Sequence, residues 1–339
     1  MPKTKETFPE KLWRLIKANP IVVLLVVVGI AVGFTKENFF SWSNFGNLAS
    51  NTAVRFLIAL GVSGCLITKG TDLSAGRQVG FAACLAGVLL QRADYTGRQF
   101  PNMPEMNMFV VLLIVLVVGA IFGLLNGVII SFLNVPPFIA TLGTQTIIYG
   151  MSLVFTDAQP IGGFQRIYTE LINGRLGSMS GKGFYLPYLL FVALVFGLLF
   201  WFIYNKTCLG KYMYAIGGNE VAAEVSGVNT RKTKIIIYTT AGLMYAMAGY
   251  LLAAKSGGAS ASMGNGYELE AIAGATIGGV STTGGIGTVG GILVGVLVFE
   301  FLKIVLQFLN VNPYYNYIVQ GVVIVTAVAL DIRKYIAKK

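Results

Sequence analysis

Apolar and polar residues in this chain alternate in long blocks, without the short periods of a half-buried strand or a surface helix. Apolar runs cover Ile21 to Phe34, Thr52 to Thr68, Gln78 to Gln91, Met108 to Phe132, Phe138 to Phe155, Leu186 to Tyr204, Ile235 to Ala254, Gly287 to Leu309 and Tyr314 to Leu330. Several approach or exceed the roughly 20 residues that cross a bilayer core. A further run, Glu268 to Val280, is only thirteen residues long and follows a Gly-, Ala- and Ser-rich stretch from Ser256 to Tyr267. It is too short to cross alone, so a broken or partly re-entrant segment is expected there, its backbone satisfied by protein or water. Between the second and third runs, Asp72 and Ser74 can cap the helix that follows. The pattern predicts an all-α polytopic membrane protein of about ten segments, folded as a single domain over 1–339.

Composition agrees. Of 339 residues, 55% are hydrophobic and 12% charged, where a soluble domain is about a quarter charged; an ordinary soluble enzyme is excluded. The net charge of +11 is read as topology, not as a nucleic-acid footprint. Lys and Arg number 16 in 1–20, 69–77, 205–234 and 331–339, against 8 in 35–55, 92–107, 156–185 and at Lys255. The positive-inside rule therefore predicts both termini in the cytoplasm, with Pro20 opening an uncleaved first helix after a basic N-terminal segment. It also leaves 156–185 as the longest outside loop and a docking surface.

Histidine is absent, which removes His-ligated zinc sites and Ser-His-Asp triads. Cys65, Cys84 and Cys208 are scattered and odd in number, so they read as free thiols. Gly285-Ile-Gly-Thr-Val-Gly290 matches a dinucleotide-binding pattern but lacks its βαβ setting, and no Gly-Lys-Ser/Thr phosphate loop occurs. No ATP site, metal site or cofactor is expected in this chain. The Gly-rich run 278–291 is read as close helix packing, or else as a hinge. Phe132-Leu-Asn-Val-Pro-Pro137 and Phe308-Leu-Asn-Val-Asn-Pro313 echo each other at the ends of two spans predicted to run in opposite directions, as an inverted repeat would.

The most informative polar block is 205–234. Gly217 and Gly218 free the backbone, Asn219 caps a helix, Glu220 suits its first turn, and Gly227 ends it after Ser226. The helix has about two turns, with a small apolar side that includes Ala222 and Ala223. Too short to stand alone, it must lean on a partner protein, on the bilayer surface or on its own loop.

The block Gly-Lys-Tyr-Met-Tyr-Ala-Ile-Gly-Gly-Asn-Glu-Val-Ala-Ala-Glu-Val-Ser-Gly-Val-Asn resembles the cytoplasmic coupling loop of bacterial ABC sugar-import permeases of the ribose and galactose type. Gly70-Thr-Asp-Leu-Ser-Ala-Gly76, Gly123-Leu-Leu-Asn-Gly127, Pro137-Phe-Ile-Ala-Thr-Leu-Gly-Thr144 and the 278–291 run are similar to that family's further signatures, in its order. Thr71 to Gln78 and Asn312-Pro-Tyr314 are most similar to its galactose and methylgalactoside branch. The resemblance implies a multi-pass inner-membrane subunit without enzymatic activity, working as a homodimer. A separate cytoplasmic ATPase would hold ATP and Mg, and a periplasmic sugar-binding protein would deliver a monosaccharide.

It further implies that Gly217, Gly218, Asn219, Glu220, Ala222, Ala223, Ser226 and Gly227 couple the chain to the ATPase. Hydroxyls and amides inside spans, Asn51, Thr52, Asn126, Thr141, Thr144, Gln145 and Gln320, are candidates for a sugar path, or else simple interhelical hydrogen bonds. Glu300 and Lys303, three apart on one helix, are expected to neutralise each other near the outer end. The alternatives are another sugar such as ribose or xylose, or an ion-coupled secondary transporter working through Glu300.

Overall fold

The computed structural model describes residues 20–177, 183–312 and 314–336. Its helices are α1 (Pro20–Thr35), α2 (Trp42–Ile67), α3 (Ala75–Leu89), α4 (Met108–Phe132), α5 (Pro137–Thr156), α6 (Arg166–Ile172), α7 (Tyr188–Lys206), α8 (Cys208–Gly218), α9 (Glu220–Val225), α10 (Thr230–Ser256), α11 (Tyr267–Ile277), α12 (Val289–Phe308) and α13 (Tyr315–Ile336). Six of them, α2, α4, α5, α7, α10 and α12, are long and apolar enough to cross a bilayer. Four of the six, α2, α4, α10 and α12, start after side-chain caps at Ser41, Asn107, Asn229 and Thr288, each accepting a backbone N–H from the first turn.

Burial sorts the long helices. The apolar window of α2 is 83% buried and that of α10 is 67%, against 22% for α5 and α7, so α2 and α10 form the centre. Phe109, Leu113 and Val117 on α4 and Leu194, Val195 and Leu198 on α7 remain exposed, as faces turned to hydrocarbon do. The α4–α10 crossing is made by small residues: Gly119, Gly123 and Gly127 stand on one stripe of α4, where added Cβ atoms would meet α10 backbone at Gly242, Tyr238, Thr239 and Ile235.

Both central helices end in interruptions. After α2, Lys69 takes a left-handed φ of 62° and the chain runs unwound to Ser74; after α10, Gly257 takes a φ of 68° and the chain runs unwound to Gly266. Each leads into a short helix, α3 with 15 residues and α11 with 11. The two breaks touch, since a Cβ on Gly76 would overlap the carbonyl of Gly264 and the reverse also holds. The broken segment expected over 268–280 is thus α11 with its unwound entry, and α3 is its counterpart.

The chain's two poles are fixed by cross-contacts. Bridges Ile161–Ala259 and Gln91–Phe164 mark one pole; Ile67, Gly217 and Gly285 meet at the other. The two echoing stretches sit at opposite poles. The end of α4 lies under Arg231, whose guanidinium faces the Phe132 ring, beside the start of α10. The start of α12 lies by Tyr214, so its end points away. Both echoes turn through a left-handed asparagine, Asn134 (φ 51°) and Asn310 (φ 55°), the arrangement an inverted repeat gives.

Several expectations change. The second span starts at Trp42, ten residues earlier than the hydropathy pattern placed it, because Ser41 caps the helix and its first turns are wet. The segment 156–185 is not a plain loop and the fold is not purely α. It carries α6 and half of an antiparallel ladder, in which β1 (Arg175–Gly177) pairs with β2 (Tyr185–Pro187) through Arg175 to Pro187 and Gly177 to Tyr185. The polar block 205–234 carries two helices instead of one. Residues 1–19 of the basic N-terminal segment and 337–339 of the tail lie outside the described residues.

If the α4–α10 crossing is held by backbone approach, Gly123→Leu forces the helices apart and costs at least about 1–3 kcal/mol of overpacking. Gly143→Leu, where an added Cβ meets nothing within 4 Å, is the matched control. Thermal midpoints in detergent should fall for the first variant only.

Candidate functional site

Within 205–234, Asn219 does two jobs. Its N–H closes α8 on the Ala215 carbonyl at 3.0 Å, and its Oδ1 caps α9 by accepting from the Ala222 N–H at 3.1 Å. Gly227 ends α9 with a φ of 86°, its N–H reaching Glu224 O at 2.9 Å while the Val228 N–H reaches Ala223 O at 3.0 Å. Both bonds together make a Schellman close. Ser226 Oγ donates to Ala222 O at 2.8 Å, and the Glu220 carboxylate pairs with Lys234 on the first turn of α10 at 2.6 Å. A helix of six residues is therefore fixed at both ends and tied to α10. Its inward residue is Ala223, buried; Ala222 and Glu224 are exposed, and Val221 and Val225 are 71% and 86% exposed.

Gly217 and Gly218 do not free the backbone as the sequence suggests; both belong to the last turn of α8. Gly217 is there for closeness. A Cβ on it would overlap Ile67 O and crowd the Gly285 nitrogen, and the Gly285 N–H itself donates to Ile67 O at 2.8 Å. Lys69 Nζ donates to Gly218 O at 3.2 Å, and Tyr214 OH to Gly287 O at 2.8 Å. The Gly-rich run is thus seated on α8 and on the end of α2. Further along, Gly278 and Gly274 of the α11 side meet Gly291 and Gly295 of α12 without room for side chains, the packing reading of that run.

The polar residues singled out for a path fall into two groups. Asn126 and Thr141 are fully buried against the first break. Asn126 Nδ2 donates to Ser74 Oγ at 2.9 Å; Thr141 Oγ1 donates to Thr71 O and accepts from the Leu73 N–H, both at 3.1 Å. Thr144 donates to Thr141 O at 3.1 Å, and Gln145 is half-buried on the same helix. Thr52 is buried. Asn51 stands apart with a second group, in which its Oδ1 accepts from Lys255 Nζ.

That second group surrounds four charges. Glu270 of α11 accepts from Arg55 Nε of α2 at 2.7 Å, from Lys303 Nζ of α12 at 2.6 Å and from Gln320 Nε2 of α13 at 3.0 Å. Glu300 lies 2.8 Å from Lys303 and 3.6 Å from Arg55. The Arg55 guanidinium also covers the Tyr267 ring at 3.5 Å. Glu300 and Lys303 therefore do not merely neutralise each other, as expected; they are half of a cluster that joins four helices. Arg55, assigned by its sequence neighbours to an outside segment, lies inside α2. The missed signal was one charge of each sign set within apolar runs. Above the cluster a groove of about 700 Å³ opens beside Asn51, Arg55, Glu300, Lys303 and Gln307, continuing into one of about 580 Å³ lined by Asn44, Asn47 and Asn51.

Residues 44–328 match the family of branched-chain amino acid transport system permease components. The chain belongs to this family. It is 45% identical over 335 residues to the galactose/methyl galactoside import permease protein of Haemophilus influenzae, covering 97% of this chain and 98% of that one. Against the protein of the same name in Escherichia coli strain K12 it is 46% identical over 321 residues, 94% of each. The ribose import permease protein of Haemophilus influenzae is 33% identical over 320 residues, 94% of this chain and 93% of that one. No solved structure matches.

Glu270 touches both cations and Glu300 mainly one, so Glu270→Gln should destabilise more than Glu300→Gln, by about 3–5 kcal/mol for the former. Chemical or thermal unfolding midpoints in detergent test the order; equal midpoints would remove the cluster's hub from Glu270.

Proposed function

We propose that this chain is the membrane-spanning subunit of an ATP-driven importer in a bacterial inner membrane, and that its cargo is galactose or methyl galactoside. Identities of 45–46% over nearly whole chains to galactose/methyl galactoside permeases, against 33% to a ribose permease, support that substrate. The carrying observation is α9, a helix locked at both ends that holds Val221 and Val225 out in solvent. Apolar side chains so placed on a fixed helix suit a protein partner, and the partner is a separate ATPase that carries ATP and Mg.

In this reading about ten segments cross the membrane, and α1, α3, α11 and α13 join the six long apolar helices. The pole with Ile67, Gly217 and Gly285 faces the cytoplasm, as do both termini, since the basic 205–234 block lies there. The opposite pole, with α6 and the β1–β2 ladder, receives a periplasmic sugar-binding protein. Two copies of the chain enclose the route. A push on α9 passes to α10 through Glu220–Lys234, and to α2 and α12 through α8. The chain itself contributes no phosphate loop and acts as a transporter subunit, not an enzyme. An ion-coupled mechanism loses its motive, because Glu300 is held by Lys303 and Arg55.

Val221→Asp and Val225→Asp leave the fold intact, being exposed, and should cut ATP-driven sugar uptake by the complete transporter in proteoliposomes more than about tenfold, a change equal to about 1.4 kcal/mol of docking. Co-purification of the ATPase should fall with it. Normal uptake by the double variant would overturn the docking role of α9. Ala223→Trp is a poorer probe, since Ala223 packs inward.

A further inference from the structure

We propose that the groove above the Arg55–Glu270–Glu300–Lys303 cluster is a binding site for a neutral, hydroxyl-rich monosaccharide; the proposal rests on the sugar-import reading and locates its substrate.

The groove has its mouth at the ends of two helices, with Asn44 and Asn47 in the first turns of α2 and Gln307 in the last turn of α12, and its floor deeper in the membrane's thickness. Arg55 is twelve residues from the end of α2 at Ile67, about 18 Å along a helix of 1.5 Å rise, and Lys303 and Glu300 meet it from α12. Charged groups at the depth of that floor do not face lipid; they line water or a solute route. The chemistry of the walls is amide. Asn44, Asn47 and Asn51 follow one another at spacings of three and four along one face of α2, opposite Gln307 of α12. Asn44 is held by its NH₂ on the Phe39 carbonyl at 2.7 Å, while Asn47 and Gln307 keep both donors and an acceptor, which suits sugar hydroxyls that do both.

The side chains of Asn47 and Gln307 are exposed and bond to nothing among the described residues. Asn51 is oriented by Lys255, which occupies its oxygen and leaves the NH₂ for a ligand. Ile304 and Phe308 add apolar surface to the same lining, against which the C–H face of a sugar ring can lie. In the floor, Arg55 and Lys303 are paired with Glu270 and Glu300, and Lys255 on Asn51 adds a further positive charge, so the cluster presents directed hydrogen-bonding groups and disfavours a cation as the occupant. The volume of about 700 Å³ falls in the range of small-molecule sites.

The test uses the complete transporter in proteoliposomes. Two cysteines are buried and Cys208 is exposed, so Gln307→Cys is made with Cys208→Ser and labelled by a membrane-impermeant maleimide. Galactose at tens of millimolar should slow labelling severalfold, while the same concentration of glycine betaine, an osmolyte without hydroxyls, should not. Separately, Asn47→Ala with Gln307→Ala should lower the uptake rate by about fivefold per lost hydrogen bond, and rescue by Gln307→Asn should be partial. These positions lie outside the buried cluster, so the variants fold.

Labelling indifferent to galactose together with unchanged uptake would overturn the site while leaving the importer reading intact. So would failure of the maleimide to reach the Gln307→Cys variant in the assembled transporter, which would make this face an interface between copies. A wild-type complex that carries no monosaccharide would sink the importer reading, and this site with it.

Discussion

Inside a bilayer a backbone N–H or C=O without a partner costs several kcal/mol, and this fold places two unwound stretches where that rule applies. Asn126, six residues or about 9 Å from the end of α4, still reaches Ser74, so the first break sits well within the molecule. It is satisfied locally: Asp72 Oδ1 accepts from the Ser74 N–H at 3.0 Å and its hydroxyl at 2.6 Å, while Ser74 Oγ accepts from Gln78 and Asn126, each at 2.9 Å. The second break borrows from the first, since Arg77 of α3 donates to Asn265 Oδ1 at 2.8 Å and to Ala261 O at 3.4 Å. Neither stretch is complete alone. Their mutual contact at Gly76 and Gly264 holds the two short helices together inside the fold.

The two buried polar systems differ in kind. Around Asp72, the Ser74 hydroxyl and the NH₂ groups of Gln78 and Asn126 are engaged with one another and with Asp72, so their work is to hold a non-helical shape. Around Glu270, the groups join separate helices and their upper side opens onto a groove. Removing a member of the first loosens one turn; removing a member of the second leaves an uncompensated charge between four helices. The second is where relative helix movement has most to disturb.

Much of this was legible in block hydropathy, since long apolar runs and caps act locally. The rough position of the long apolar helices, the short broken segment over 268–280 and the cap at Asn219 could be read from neighbours in sequence. What escaped depended on distant partners. Arg55 looks like the edge of a polar linker until Glu270, 215 residues on, is seen beside it. Gly217 looks like a flexible joint until Ile67 and Gly285 are seen against it. Ala222 and Ala223 are alike in sequence, and only the direction of a six-residue helix separates the exposed one from the buried one. The ladder from Arg175 to Pro187 was hidden in a stretch whose composition says only that it is wet.

At Gly217 three lengths of main chain press together with no side chain between them. Rotamers are the usual slack in a protein joint, and here there is none. A displacement of α8 is therefore handed on to the end of α2 and to the 284–285 turn at once, like a rod set directly into its socket. The neighbouring side chains are left free to vary without softening that linkage.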